Sequence, residues 1–443
     1  HARRRVDVIL NPSASHFAFD KQNIRKRFVV DGSRAFGVSY IYANLLGNES
    51  GRIIFDGGTL VASGGQLVAE GPRFSYRDVR VVTSQIDVEK TRMNRAKMAS
   101  FEPSPSAAEC FGAEVDFTFP QVEPAELDGR EPSWMKGPHS KEEEFSRAVT
   151  LGLFDYLRKS YSQGFVISLS GGADSSASAA LVALMVEMAC AELGREGFVD
   201  KLSHIDGLAD CEGRPELVER LLTCAYQATR NSSETTRHAA ETVARTLGAD
   251  YLELDVDDLV EGYTGMIEEA IGRELTWESD DIALQNIQAR TRAPSIWMLA
   301  NLRNALLLAT SNRSEAAVGY TTMDGDTCGG LSPIAGIDKA FLRRWLVWMR
   351  DHGPEGFEPM PELEVVTAQQ PTAELRPEEA DQTDESDLMP YEVLDAIERA
   401  AIRDKYAPLE VWKLMRQRFD QYDDRQVAQF VDRFFRLWCR NQW

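Results

Sequence analysis

The alternation of apolar and polar residues divides the chain into two blocks of different period. In the first block the apolar runs are short. Residues 6–10, Val-Asp-Val-Ile-Leu, read as a buried strand ending at Asn11-Pro12. Lys21 to Gly37 has a helical period with a basic face. Val38 to Ala43, Arg52 to Phe55, Thr59 to Ala62, Leu67 to Glu70 and Val79 to Ile86 then read as strands, with Gly57-Gly58 and Gly64-Gly65 as hairpin turns. This block has strands to pair and too few helices to cover them, the pattern of half a sandwich.

Periodicity fades over residues 100–138, where Pro103, Pro105, Pro120, Pro124 and Pro132 fall among acids. That composition predicts a linker. The expected organisation is a first domain over 1–99, a linker over 100–138 and a second domain over 139–443. Ser140 followed by Lys-Glu-Glu-Glu opens a capped helix to about Ser160, with Phe145, Val149, Leu153 and Leu157 on one stripe.

The second block alternates strand and helix. Strands are predicted at Gly164–Leu169, Leu221–Gln227, Tyr251–Val256 and Ala305–Ala309. Helices are predicted at Asp174–Leu193, at Thr235–Leu247 (capped by Ser232 or Ser233 and closed by Gly248), and over 257–272 and 280–303. This is the pattern of an α/β fold with a parallel, doubly wound sheet, in which ligands sit beyond the C-terminal strand ends.

Composition narrows the function. At 443 residues the chain holds two or more domains, and a formal net charge of −21 disfavours nucleic-acid and anionic-membrane partners. No uninterrupted apolar run approaches a bilayer span, and no signal-peptide pattern opens the chain. The six cysteines form no CxxC pair, which suits free thiols and a cytoplasmic location. Residue 1 is His, and the last residues read as the middle of a helix, so a fragment of a longer chain is expected.

The chemistry centres on Ser170-Gly171-Gly172-Ala173-Asp174-Ser175-Ser176, placed between a strand and a helix. Adjacent glycines allow a tight turn, and serine hydroxyls with helix-start N–H groups can receive an anion. Asp174 would repel phosphate unless a cation lay between them, which points to Mg²⁺ carrying a polyphosphate. The string is not a P-loop, since no lysine follows, and Ser-Gly-Gly alone also suits an ordinary glycine turn. Asn286-Ile-Gln-Ala-Arg290-Thr-Arg292 puts Gln288 and Arg292 on one helix face and Arg290 off it. Thr310 ends a predicted strand, Glu315 is a second candidate carboxylate, and Asp326 lies in a glycine-rich loop. Lys339 would supply the cation that the Ser-Gly-Gly loop lacks.

The full Ser-Gly-Gly-x-Asp-Ser-Ser string resembles the pyrophosphate-binding loop of the N-type ATP pyrophosphatases. The order that follows is Asn286-Ile-Gln-Ala-Arg-x-Arg292, Thr310-x-Asn-x-Ser-Glu315, Gly319-Tyr320-x-Thr, Gly325-Asp326, Lys339, Pro371-Thr372-Ala-Glu-Leu and Asp384-Glu-x-Asp-Leu. From about residue 140 onward it resembles the NAD⁺ synthetase family. Asn11-Pro-Ser13-Ala-Ser-His16-Phe, with Phe55-Asp-Gly-Gly-Thr-Leu60, resembles the latter half of a nitrilase-type amidase domain, as in the glutamine-dependent form of that family. The resemblance implies a Rossmann-like parallel sheet plus a partial nitrilase-like αββα domain, and a homo-oligomer. It implies ATP-dependent amidation of deamido-NAD⁺, with ammonia drawn from glutamine in the intact enzyme. Ser170, Gly171, Gly172, Asp174, Ser175, Ser176, Thr310, Lys339 and Thr372 would then meet ATP or pyrophosphate, with Asp174 and Glu315 on Mg²⁺. Asp174, Lys339 and Asp326 would be catalytic, and Asn286, Arg290, Arg292 and Tyr320 would meet the dinucleotide.

That family's amidase cysteine would precede the first strand, and no cysteine occurs before Cys110, so no amidase triad is assigned. Ser13 and His16 would line the amidase pocket, or else serve as a loop cap and a packed side chain. Arg3-Arg4-Arg5 reads as a solvated basic run. Arg313 stands where the family commonly has lysine, and the loop after Asp326 lacks the family's further acid. Two other readings compete: a GMP synthetase or tRNA-thiolating member of the same ATP-pyrophosphatase group, and a non-catalytic nucleotide sensor. The net charge disfavours tRNA. The nitrilase-like half disfavours GMP synthetase, and paired carboxylates disfavour a sensor.

Overall fold

The computed structural model describes residues 6–49, 51–98, 115–118, 133–370, 375 and 384–441. Most of the expected linker, Arg3-Arg4-Arg5 and Thr372 lie outside the described residues. The chain forms two compact units, His1–Tyr156 and Leu157–Trp443.

The first unit contains β1 (Val8–Ser13), α1 (Lys21–Phe36), β2 (Ser39–Asn44), β3 (Leu46–Glu49), β4 (Ile53–Asp56), β5 (Thr59–Ser63), β6 (Gln66–Glu70) and α2 (Val88–Ala96). A helix, α3 (Ser140–Ser160), begins within it. The main sheet has the order β1-β2-β5-β6, and β3 and β4 form a separate pair. β1 runs on through Pro12 to Ser13, past its expected end. Proline is tolerated there because β1 is an edge strand. Gly64 and Gly65, with φ of 60° and 82°, turn β5 into β6 as expected. Gly57-Gly58 does not close a hairpin: β4 pairs with β3 and β5 with β2, so the turn crosses between sheets. No strand forms over 79–86. Val79 and Val81 are exposed while Val82 and Ile86 are half-buried, so the alternation turns one face inward without pairing to a strand.

Val29 of α1 packs on Tyr40, Tyr42, Leu60 and Ala62 of the sheet. The basic face of α1 is not wholly solvated. Arg25 is buried and pairs with Asp56 at 2.5 Å. Asp56 lies 3.5 Å from Arg73, which pairs with Glu144 of α3 at 2.7 Å. Each buried charge thus has a counter-charge, without which its desolvation would be costly. His16 is exposed rather than packed, and its carbonyl accepts from Arg25 at 3.0 Å. The Ser13 carbonyl accepts from the Leu45 amide.

The second unit contains β7 (Phe165–Ser168), α4 (Ala173–Lys201), α5 (Arg214–Leu221), β8 (Leu222–Ala228), α6 (Glu234–Leu247), β9 (Asp250–Asp255), α7 (Asp257–Ile271), α8 (Trp277–Leu302) and β10 (Leu306–Leu308). It continues with α9 (Arg313–Val318), α10 (Lys339–Asp351), α11 (Glu364–Thr367), α12 (Asp384–Asp387), α13 (Tyr391–Glu398), α14 (Pro408–Arg418) and α15 (Asp424–Arg440). All four strands are parallel, in the order β10-β7-β8-β9. The expected α/β architecture is present, with every strand within two residues of its predicted start. Ser233 caps α6 by accepting from the Thr236 amide, and Gly248 closes it at φ 74°.

α5 is absent from the sequence expectation. Its Leu217, Val218 and Leu221 run straight into the apolar strand β8, so one continuous apolar stretch holds two elements. α4 also continues past Leu193, through Gly194, where the helical dihedrals break at φ 72°. By length and hydropathy alone α4 could cross a membrane, yet acids interrupt its apolar run and most of that stretch is buried within the protein. A separate core cluster joins Val318 of α9 with Leu394, Val431 and Phe434 of the C-terminal helices.

Candidate active site

The strand order fixes where a site can form. From β7 the chain moves outward to β8 and β9, then returns to lay β10 on the other side of β7. The loops after β7 and β10 therefore diverge, and the gap between them is the topological switch point. The Ser-Gly-Gly loop follows β7, and Thr310 follows β10. A cavity of about 920 Å³ opens there, lined by Ser170, Gly172, Asp174, Ser175, Thr310 and Lys339 among others.

The loop is shaped by Gly171. Its φ is 81°, and a Cβ there would lie 2.1 Å from the Thr236 carbonyl oxygen of α6. No other residue fits so close to a backbone at that dihedral. The turn brings the Ser170 and Ser175 hydroxyls to 3.0 Å, and the Ser170 amide donates to Ser175 Oγ at 3.2 Å. Gly172 N–H donates to Ser170 Oγ at 3.3 Å, just before the first turn of α4. These bonds hold the serine hydroxyls and the start of α4 on one wall of the cavity, where the sequence reading expects an anion cradle. Ser176 does not belong to it. Its side chain is fully buried, its hydroxyl faces no partner, and it points away from the cavity wall that Ser175 lines. Gly171 acts through the turn and does not itself line the cavity.

Lys339 is the centre of the charged group. It opens α10, is 4% exposed, and donates both to Asp174 and to Glu315 Oε1, the latter at 2.9 Å. Asn312 supports both acids: its Nδ2 donates to Asp174 at 3.0 Å, while its Oδ1 caps α9 by accepting from the Glu315 amide at 3.1 Å. Tyr391 donates to Glu315 at 3.0 Å and reaches Asp384 at 3.2 Å. Tyr320 donates to Asp387 at 3.0 Å and lies 3.4 Å from Asp384.

Three carboxylates thus face one ammonium. Burial opposes the charge on Lys339, but Asp174, Glu315 and Asp384 outweigh it and hold its pKa well above the ordinary lysine value. Burial pushes Asp174 up to about 6, against the pull of Lys339 and with help from Glu315. Burial also raises Asp384, against Lys339. Among the described residues no cluster of three or more His, Cys, Asp or Glu side chains is arranged to hold a metal alone. The donors are hard oxygens with surplus negative charge, which fits a cation bound by one or two carboxylates and completed by phosphate and water.

The other predicted residues divide clearly. Asp326 lines the cavity; its carboxylate accepts from the Thr322 amide at 3.0 Å and its carbonyl from the Thr310 amide at 3.3 Å. Desolvation raises its pKa, opposed by the Thr322 amide and aided by Glu315. Asn286, Arg292 and Tyr320 also line the cavity. Asn286 accepts from Thr322 Oγ1 at 3.2 Å, and Arg292 donates to the Gln227 carbonyl at 3.2 Å. Arg290 does not line it. The side chain is exposed and donates to the Met323 carbonyl at 2.9 Å, as its place off the Gln288–Arg292 face implies. Gln288 is buried and spent on the Leu284 and Leu375 carbonyls.

Several lining residues escaped the sequence reading. Asp384 lay in a quoted motif without a role. Arg343 and Arg344 on α10 line the cavity, and the first is placed by its i,i+4 spacing from Lys339. Tyr391 has no local signal, since it follows Pro390 in an ordinary helix start.

Fold and site together define an α/β unit with a Ser-Gly-Gly turn opposite a lysine–carboxylate cluster. The family model for NAD synthase matches residues 145–433, and the chain belongs to that family. It is 30% identical to the glutamine-dependent NAD(+) synthetase of Saccharomyces cerevisiae over 99% of this chain and 65% of the yeast protein. Against the enzyme of the same name from Rattus norvegicus it is 31% identical over 99% of this chain and 63% of the rat protein. A crystal structure of a glutamine-dependent NAD(+) synthetase from Cytophaga hutchinsonii superposes with a TM-score of 0.77 at 40% identity, covering 100% of this chain and 65% of that one. The chain therefore spans less than two thirds of the length of these relatives.

Proposed function

We propose that this chain catalyses the ATP-dependent amidation of deamido-NAD⁺ to NAD⁺. The nicotinate carboxylate attacks the α-phosphorus of ATP, the bond to the pyrophosphate oxygen breaks, and an acyl-adenylate forms. Ammonia then attacks the acyl carbon, AMP leaves, and the ammonium proton passes to solvent. The observation that carries this reading is the Lys339 bridge between Asp174 and Glu315, facing the Ser170–Ser175 cradle. A carboxylate nucleophile needs no activated Ser, Cys or His. What the reaction needs is positioning and neutralisation of phosphate charge.

In this reading Ser170, Gly172 and Ser175 hold the pyrophosphate through their N–H and O–H donors. Lys339, kept protonated by its acids, meets the charge that develops on the leaving group. Asp174 and Glu315 would hold Mg²⁺, which supplies Lewis-acid stabilisation of phosphate charge. Thr310 meets the ATP, with Thr372 as an expected phosphate contact. Asp326 ties the end of β10 to the loop over the reactants, and Asn286, Arg292 and Tyr320 face the dinucleotide.

ATP–pyrophosphate exchange tests the assignment. Exchange should require deamido-NAD⁺ and Mg²⁺; exchange indifferent to deamido-NAD⁺ would reject the substrate. Asp174→Ala should abolish it, and full retention would reject the metal-holding role.

We also propose a homo-oligomer. α7 has no buried residue, and Leu259, Tyr263, Met266, Ile267 and Ile271 lie exposed on one of its faces. A second copy of the same chain, presenting the same apolar face, is the partner proposed for it.

A further inference from the structure

Lys339 is the first residue of α10, and a helix start leaves its N–H groups without intrahelical partners. Here three side chains take three of them. Asp338 caps the helix by accepting from the Phe341 amide at 2.8 Å. Ser314 Oγ accepts from the Lys339 amide at 2.9 Å. Asp395 Oδ2, from α13, accepts from the Ala340 amide at 2.9 Å, and its Oδ1 accepts from Ser314 Oγ. Asp395 is 5% exposed and does not itself line the cavity, though its partner Ala340 does.

The placement of these residues along the chain gives the contact its meaning. Ser314 precedes Glu315 on α9. Asp395 lies one helical turn beyond Tyr391 on α13, and Tyr391 bonds Glu315. One carboxylate therefore joins the three elements that carry Lys339, Glu315 and Tyr391. We propose that Asp395 is a positioning residue for the amidation reaction, setting the distance between the Lys339 ammonium and the Asp174–Glu315 pair through Ser314 and the first turn of α10. This rests on the function proposed above.

The arrangement differs from simple packing. A carboxylate at a helix N-terminus is stabilised by the helix dipole. Around Asp395 the other charges are Asp338 and Glu398, both paired with Arg313 at 3.3 and 2.9 Å. Burial, with the repulsion of those two acids, pushes the Asp395 carboxyl up to about 7, against the pull of Ser314 and the Ala340 amide. A carboxyl group at this place offers two acceptor oxygens at once, one for Ala340 and one for Ser314.

The test compares Asp395→Ala, Asp395→Asn and Ser314→Ala with the parent chain. Steady-state exchange gives kcat and KM for ATP, and far-UV circular dichroism gives the folded fraction. A second readout follows labelling of Lys339 by an amine-reactive reagent, mapped by mass spectrometry. A displacement on the scale of an ångström costs about 100-fold in rate, so Asp395→Ala should lose about that much kcat per folded molecule with little change in KM. Asp395→Asn keeps one acceptor and should recover part of the loss. Ser314→Ala should resemble it. Lys339 should label faster in each variant than in the parent. If Asp395→Ala does not fold, the other two variants carry the comparison. Parental kcat per folded molecule, or unchanged Lys339 labelling in the folded variants, would overturn the proposal. A parent chain without deamido-NAD⁺-dependent exchange would reject the reaction instead, while the labelling comparison still decides the brace.

Discussion

Lys339 sits among more negative charge than it can neutralise. Asp174, Glu315 and Asp384 surround it, and burial raises the pKa of Asp174 to about 6. A carboxyl whose native pKa exceeds its unfolded value binds its proton more tightly when folded, so its ionisation costs stability above that native pKa. Asp174→Asn should therefore raise Tm at pH 8 in magnesium-free buffer, while Lys339 keeps two other acids. The gain should shrink as pH falls below about 6 and vanish near the unfolded value of about 4. A variant less stable than the parent at pH 8 would mean that the Lys339–Asp174 attraction outweighs the crowding. The charges themselves were legible in the sequence because motif order set them apart: Asp174, Glu315 and Lys339 all reach one cluster. Tyr391 and Asp395 were not legible. Each acts through a helix that packs from far along the chain, and no local spacing marks such a contact.

The Ser-Gly-Gly turn shows how an element depends on a neighbour's backbone. Gly171→Ala would drive a Cβ against the Thr236 carbonyl at a positive φ. It should destabilise by about 3 kcal/mol in urea unfolding, at the upper end of local strain costs, and remove pyrophosphate exchange. Gly272, at φ 71° with open space around it, provides the comparison. Gly272→Ala should cost only about 1 kcal/mol, the left-handed penalty alone. Equal losses at both sites would show that dihedral strain, not contact, governs the turn. Element boundaries followed the sequence where a cap marks them, as at Ser233 and Gly248 of α6. They failed where apolar runs merge, as between α5 and β8, and where an alternating segment turns one face inward without a neighbouring strand to pair with, as over 79–86.

For the molecule as a whole, the exposed face of α7 predicts self-association. Met266→Asp with Ile267→Lys should convert an oligomer to a monomer in light scattering with little change in helix content. A parent chain already monomeric at micromolar concentration would reject the interface. The parallel sheet was legible from strand–helix alternation, but its order was not, because the return of β10 to the far side of β7 leaves no mark in local pattern. That return has a consequence for how the chain becomes active. Asp174 meets Asn312 across 138 residues and Lys339 across 165. Closing loops of that length is slow compared with forming local helices. During synthesis the cradle after β7 emerges long before its counter-charges, so the nascent chain has nothing with which to grip a nucleotide. On the function proposed above, capture of ATP would be a late event, and a nucleotide present during refolding should protect only molecules in which the last-made helices have already docked.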